Sequence, residues 1–394
     1  MNYKLGFDTW SKEEKSSISK VISSGNYTMG KNVEKFEIKF AKYFGSKYAT
    51  MVNSGSSANL IMMSVLKYFP EFLKIKTKEP NIIIPAIGWS TSYYPISQCG
   101  FKLNFVDVNK DTLNIDPSKV EKAIDKNTVG ILAINLLGNP CNFLDLKNIC
   151  DKKKLVLLED NCESLGSKHK RKYCGTIGLM GSNSFFFSHH LQTMEGGIIL
   201  TNNKKINDIT KSLRAHGWIR NLQPNNTLYK KKGDNFKDHF TFILPGYALR
   251  PLEFQGAIGL IQLKKFSKFL DIRKKNAKIF KKLFSNKEWC SIQKEEEGNI
   301  SSWYGFNLIL KGILKNKRNK IIKKLTFNNI EVRPTMTGNF LKNPVMRYLD
   351  YKTTGKMTNS NLIDKNGFFF GNYPKNLDKE LKKVYKVIVN ELKK

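Results

Sequence analysis

Apolar residues in the segment NVEKFEIKFAKYFG (32–45) recur every three to four positions, which predicts an amphipathic helix that Gly45 closes. YATMVNSG (48–55) then reads as a short strand ending in small polar residues, and SSANLIMMSVLKYF (56–69) as a helix. After it come short apolar runs rich in β-branched residues: NIIIP (81–85), KLNFVDV (102–108), VGILAINL (129–136), KLVLLED (154–160), SNSFFFS (182–188) and GGIILTN (196–202). Helical segments at 118–125 and 143–153 separate several of them. Runs of this kind mark buried parallel strands, and the alternation predicts an α/β sheet, mixed at one edge. From about 253 the texture changes to a long helix (251–284) followed by short strands and helices. The expected organisation is a large α/β domain over 1–252 and a smaller α+β domain over 253–394.

A chain of 394 residues with 40% hydrophobic positions is long enough for a substantial core. The formal net charge is +34, yet only eight of the 67 basic residues are Arg, and the lysines are spread along the whole chain. Compositional drift from an AT-rich genome accounts for this pattern. Nucleic-acid binding is disfavoured, since there is no zinc-finger spacing, RRM signature or basic heptad. The six cysteines form no CxxC or CxC pair, which argues against metal sites and thioredoxin-like chemistry. No run approaches a membrane span, and the polar start MNYKLGFDTWSKEEK lacks an apolar signal core, so a cytoplasmic protein with no membrane partner is expected.

Four constellations carry chemistry. Asn53–Ala58 (NSGSSA) places small residues between a strand and a helix, which suits an anion at the helix N-terminus or an ordinary Ser cap. LLEDNCESLG (157–166) ends an apolar strand in carboxylates, where α/β sheets place ligands; a capping Asp is the plainer reading. Pro85–Ser90 sets Trp89 just past a strand end, either as core or as a plate for a planar ring. SFFFSHHLQTMEGG (184–197) carries two of the five histidines side by side. Zinc fits poorly there, because neighbouring residues face different ways and no HExxH or Cys partner is near; a general base fits better.

These pieces, in this order, resemble the DegT/StrS sugar aminotransferase family of fold-type I pyridoxal phosphate (PLP) enzymes, and within it the nucleotide-sugar 3-dehydratases. GNYTMG (25–30), VNSGSSANL (52–60), PAIGWST (85–91), RAHGW (214–218), GYALRPLEFQGAIGL (246–260), VRPTMTGNFLKNP (332–344) and GFFFGNYP (367–374) extend the resemblance nearly end to end. It implies a large domain with a mixed, mostly parallel sheet flanked by helices, plus a small C-terminal α+β domain. It implies that Asp160 pairs with the pyridine nitrogen, with Glu163 close by, that Trp89 stacks on the ring, and that Gly55, Ser56, Ser57 and Ser184 hold the phosphate. Thr28, Met29, Gly30, Ser188, His216, Arg220 and Arg333 are implied for the substrate, the two arginines at the nucleotide diphosphate. One departure is Ala248, where relatives usually carry an Asn that reaches the phosphate of the neighbouring subunit's cofactor.

In the family's aminotransferases a Schiff-base lysine lies six residues before the Glu of the EGG motif. Counting back from Glu195 gives His189. Histidine cannot tether the cofactor, but it can still move protons. The resemblance therefore implies a non-covalent pyridoxal/pyridoxamine phosphate enzyme that removes the C3 hydroxyl of a 4-keto-6-deoxy sugar. GDP-4-keto-6-deoxy-D-mannose is the expected substrate, L-glutamate the amino donor, and a homodimer with shared active sites the expected assembly. His189 would act as the base, and its imidazolium would protonate the leaving hydroxyl. Three alternatives compete. An iron–sulfur CDP-4-keto-6-deoxyglucose-type 3-dehydrase would need a close cysteine pair that is missing. An aminotransferase would need the lysine. A catalytically dead binding subunit would have no use for Asp160, Glu163 and His189 together.

Overall fold

The computed structural model describes residues 2–392. Its strands are β1 (Tyr48–Val52), β2 (Asn81–Pro85), β3 (Lys102–Val106), β4 (Thr128–Ile134), β5 (Val156–Asp160), β6 (Met180–Ser184), β7 (Gly197–Thr201), β8 (Cys290–Ile292), β9 (Gly305–Leu310), β10 (Val332–Pro334), β11 (Tyr351–Thr353) and β12 (Gly367–Gly371), besides three two-residue strands. The main sheet has eight strands in the order β1-β7-β6-β5-β4-β2-β3-β11. All its pairings are parallel except those of β7, which runs antiparallel to both β6 and β1. This is the expected sheet, mixed at one edge. Strands β2, β4, β5, β6 and β7 are buried along their full length, as helix-covered strands must be. A second, antiparallel sheet has the order β8-β9-β12-β10.

The apolar stripe expected over 32–45 becomes α2 (Lys31–Phe44), which buries Val33, Phe36, Phe40, Ala41 and Phe44 and ends on Gly45 in the left-handed region (φ 73). It lies across the first turns of the long helix α5 (Glu253–Phe284). Contact is close because α5 presents glycine: a Cβ at Gly256 would stand 2.5 Å from the Val33 nitrogen. Gly30, at the N-cap of α2, has no side chain to cap with, and Glu253 does so from across the chain. Its carboxylate accepts from the N–H groups of Gly30 (2.7 Å), Asn32 (2.5 Å) and Val33 (3.3 Å). Glu253→Ala strips three donors of their acceptor, together with the charge that complements the helix dipole. It is expected to cost about 2 kcal/mol of stability, read as a lower urea midpoint.

The expected division at residue 252 is crossed by three segments. Tyr3 packs into the C-terminal core with Phe280, Phe284, Phe306 and Phe370. The first turns of α5 belong to the α2 interface, and β11 joins the main sheet beside β3. One further expectation changes. Strand β6 stops at Ser184 rather than running to 188, because the chain leaves the sheet there. Phe185 is buried against Phe36 and Phe40, whereas Phe186 and Phe187 are 42% and 48% exposed. Among the described residues no helix is long and apolar enough to cross a membrane.

Candidate active site

A cavity of about 280 Å³ opens at the carboxyl ends of the parallel strands, with Asp160 of β5, Ile134 of β4 and Ser184 of β6 in its wall. Each is the last residue of its strand, so the sheet itself sets their spacing. The N-terminus of α3 (Gly55–Tyr68) forms another wall, with Ser54, Gly55, Ser56 and Asn59. Trp89, Thr91 and Ser92, at the start of α4 (Ser90–Gln98), add a third. From the C-terminal part come Tyr304, Arg333, Met336 and Phe369. Among the described residues no lysine lines this cavity, and Arg333 is its one guanidinium.

The two histidines part company. His190 is 2% exposed, and its Nε2–H donates to the Ser302 carbonyl at 3.0 Å. His189 faces the cavity, its ring set edge-on to Tyr304 at 5.2 Å between centroids. Its Nδ1 is buried without a hydrogen-bond partner among the described residues. Burial, reinforced by the nearby Arg273 guanidinium, holds the His189 pKa down to about 3. At neutral pH it is an uncharged imidazole, able to accept a proton. Arg273 is itself fully buried and donates to the backbone carbonyls of Tyr304 and Asn372.

Asp160 gathers three donors: Asn59 Nδ2 at 2.8 Å, Ser92 Oγ at 2.6 Å and the Cys162 N–H at 3.1 Å. Among the described residues Glu163 accepts from one donor, the Leu137 N–H at 3.1 Å. Burial raises its pKa from 4.5 to about 8; the Leu137 bond opposes this and the charge of Asp160 adds to it. One wall thus holds an ionisable acceptor and, beside it, a carboxyl that keeps its proton at neutral pH. The stability consequence has a definite sign. The unfolded chain releases this proton near pH 4.5 and the folded chain near 8, so the contribution of Glu163 is complete below about 4.5 and is lost as pH rises through about 8. The melting temperature of the cofactor-free protein is expected to fall over that window, and Glu163→Gln to flatten the fall. Parallel slopes in the two proteins would contradict the assignment.

Of the residues singled out in the sequence, Gly55, Ser56, Trp89, Asp160, Glu163, Ser184, Ser188, His189 and Arg333 line the cavity together. Ser57 does not. Its hydroxyl donates to Asn53 Oδ1 at 2.6 Å and its N–H to Ser54 Oγ at 3.1 Å, so Ser54 takes its place in the wall. Thr28, Met29 and Gly30 stand outside the cavity at the entry to α2. His216 (φ 60) packs edge-on to Trp218 at 5.0 Å, and Arg220 lies over the same indole, also outside it. Asn59, Ser92 and Tyr304 were not foreseen. Asn59 sits one turn inside the helix expected over 56–69, whereas Ser92 lies in the first turn of α4, which the hydrophobic pattern did not announce. Tyr304 left no signal in its segment SSWYGF.

A Cβ at Gly55 would stand 2.7 Å from Ser184 Cβ and 2.8 Å from Cys162 Sγ, so only glycine lets the helix end come this close to the cavity wall. A helix N-terminus lined with hydroxyls attracts a phosphate, a buried carboxylate attracts a cationic ring nitrogen, and the half-exposed Trp89 offers an aromatic face. The donor set fits pyridoxal or pyridoxamine phosphate held without a covalent bond.

Comparison with known proteins points the same way. The sequence profile of the DegT/DnrJ/EryC1/StrS aminotransferase family matches residues 8–389. A GDP-4-keto-6-deoxy-D-mannose 3-dehydratase from Yersinia pseudotuberculosis is 46% identical over 390 residues, covering 98% of each chain. A solved GDP-4-keto-6-deoxymannose-3-dehydratase holding a trapped PLP–glutamate geminal diamine superposes with a TM-score of 0.94 at 44% identity, covering 98% of this chain and 100% of that one. A mutant of the same enzyme with bound GDP-perosamine gives the same score, identity and coverage.

Proposed function

The chain belongs to the DegT/DnrJ/EryC1/StrS aminotransferase family, and from that premise we propose that it is a B6-dependent nucleotide-sugar 3-dehydratase acting on GDP-4-keto-6-deoxy-D-mannose, with L-glutamate as amino donor. One observation carries the reading: a cavity walled by a helix N-terminus with hydroxyls and by a buried carboxylate has, among the described residues, no lysine in its wall and presents His189 instead. When bound, the cofactor would supply an electron sink through which the C3 substituent of a 4-keto sugar can be expelled.

The chain's own residues have the following parts. Ser54, Gly55 and Ser56, with Ser184, would hold the phosphate at the start of α3. Asp160 would face the ring nitrogen, locked in place by Asn59 and Ser92. Trp89 would cover the ring. Neutral His189 would take up the proton whose removal begins elimination. Arg333 would meet the anionic part of the substrate. We further propose a cytoplasmic homodimer with shared sites. Supporting this, Thr28, Met29, Gly30, His216 and Arg220 lie outside the cavity of the single chain, which has one guanidinium for a diphosphate. Synthesis of colitose for a lipopolysaccharide O-antigen is the corresponding biological role.

The test is incubation with pyridoxal phosphate, L-glutamate and a panel of GDP-, CDP- and dTDP-linked 4-keto-6-deoxy sugars. A 3-deoxy-4-keto product from the GDP sugar, formed with ammonia and 2-oxoglutarate, is expected. A 4-amino sugar would replace this reading with aminotransfer.

A further inference from the structure

Elimination of a hydroxyl needs a base and an acid, because free hydroxide leaves poorly. In the simplest scheme His189 supplies both. The structure puts a second proton carrier on the same wall. Tyr304 lines the cavity, and its hydroxyl lies 3.2 Å from Ser188 Oγ. Its ring meets His189 at 5.2 Å. The placement is enforced: Trp303 sits in the left-handed region (φ 52), the Tyr304 N–H donates to the Leu137 carbonyl at 3.0 Å, and buried Arg273 holds the Tyr304 carbonyl at 3.2 Å. Gly138 leaves no room for slack, since a Cβ there would be 2.7 Å from the Tyr304 nitrogen. A backbone anchored from three sides, carrying a hydroxyl that meets only Ser188 among the described residues, is built to hold that hydroxyl in the cavity.

We propose that Tyr304, its hydroxyl set by Ser188, is the proton donor to the departing C3 hydroxyl; this rests on the 3-dehydratase reading. The C3–O bond breaks with its electron pair on oxygen. The Tyr304 Oη–H bond gives its proton to that oxygen, and water leaves. The phenolate regains the proton that His189 took up earlier in the turnover. The electron pair that replaces the C–O bond comes from the C–H bond that His189 opened, so no outside oxidant or acid is required. The acidities run the right way. Burial raises the Tyr304 pKa to about 12, below that of water at about 15.7, while an imidazolium at His189 is a far stronger acid than the phenol it refills. Glu163 also holds a proton, but it belongs to the turn after β5 beside Asp160, where it accepts from Leu137.

The test compares the natural sugar with its 3-fluoro analogue, since fluoride leaves without a proton. Tyr304→Phe is expected to lower kcat on the hydroxyl substrate by about 10²–10⁴-fold with KM within about threefold. It should turn over the fluoro analogue within about threefold of wild type, and release 2-oxoglutarate from glutamate at the wild-type rate. Ser188→Ala, which leaves the ring packing intact, should show the same signature at smaller size. Equal losses on both substrates, or a hydroxyl rate within threefold of wild type, would overturn the assignment. So would a fluoro-rescued defect in Glu163→Gln instead. Failure of wild type to form any 3-deoxy product would count against the dehydratase reading itself, a separate outcome.

Discussion

Replacing His189 by Asn is expected to lower 3-deoxy product formation by about 10³-fold or more while leaving pyridoxal phosphate affinity within a few-fold of wild type. Asparagine approximates the size of imidazole and preserves the cavity, but it has no nitrogen that titrates as a base. None of the other proposed cofactor contacts is touched, so binding persists. The adjacent histidine is the control. His190→Asn removes a buried ring whose Nε2–H satisfies the Ser302 carbonyl. It is expected to lower stability by about 1–3 kcal/mol yet keep most of the turnover of the folded protein. Two neighbouring substitutions should therefore separate cleanly, one in rate and one in melting temperature. His189→Lys should convert the site to one that forms a covalent, borohydride-trappable link with pyridoxal phosphate, seen as a mass increase on the intact chain. If His190→Asn were the inactive variant and His189→Asn the active one, the base would have to be reassigned.

That contrast shows what the sequence could and could not carry. The spacing from Glu195 selects His189 over His190, but it gives no physical reason. The reason is the departure of the chain from β6 after Ser184, which buries Phe185, turns Phe186 and Phe187 outward and leaves His189 in the cavity wall with His190 bonded to the Ser302 carbonyl. Strands β2, β4 and β7 were legible because their buried positions carry apolar runs, whereas the buried residues of β6 read MGSNS. The end of β6 was not, because three phenylalanines read as buried wherever they point. Asp160, Gly55 and Trp89 were legible because Asp160 ends a strand and the other two come shortly after one, where α/β topology puts ligands. NSGSS offers three serines, and the sequence does not show that Ser57 turns back to Asn53 while Ser54, the N-cap of α3, joins Ser56 in the wall. Tyr304, and Arg273 behind it, were illegible: Tyr304 is set by Leu137 and by Ser188, the latter 116 positions away, and Arg273 by the Asn372 carbonyl, 99 positions away, and no local pattern encodes such contacts. The 1–252 boundary marks a real change in texture, yet Tyr3 and β11 each cross it to complete the other core or sheet.

Asp160→Asn should be nearly as damaging as loss of the base, by a different route. Every group that contacts Asp160 is a donor: Asn59 Nδ2, Ser92 Oγ and the Cys162 N–H. A carboxylate satisfies all three at once because it only accepts. An amide cannot, since its NH2 must face one of them. The neighbours can partly adjust, because Ser92 can turn its proton away and Asn59 has an Oδ1 without a partner among the described residues, free to accept if its amide flips. Folding should therefore survive with a loss of about 1–2 kcal/mol. The charge cannot be recovered. Removing one member of a buried ion pair costs roughly 3–5 kcal/mol, about 10²–10⁴ in rate or affinity at 1.4 kcal/mol per decade. If Asp160 holds the protonated ring nitrogen, the variant should bind pyridoxal phosphate more weakly and also release 2-oxoglutarate from glutamate more slowly. The second effect separates it from Tyr304→Phe, which spares that half of the cycle. Ser92→Ala keeps the charge and removes one hydrogen bond, so it should lose about tenfold or less. Wild-type rates in Asp160→Asn, or a larger defect in Ser92→Ala, would show that geometry rather than charge is what Asp160 contributes.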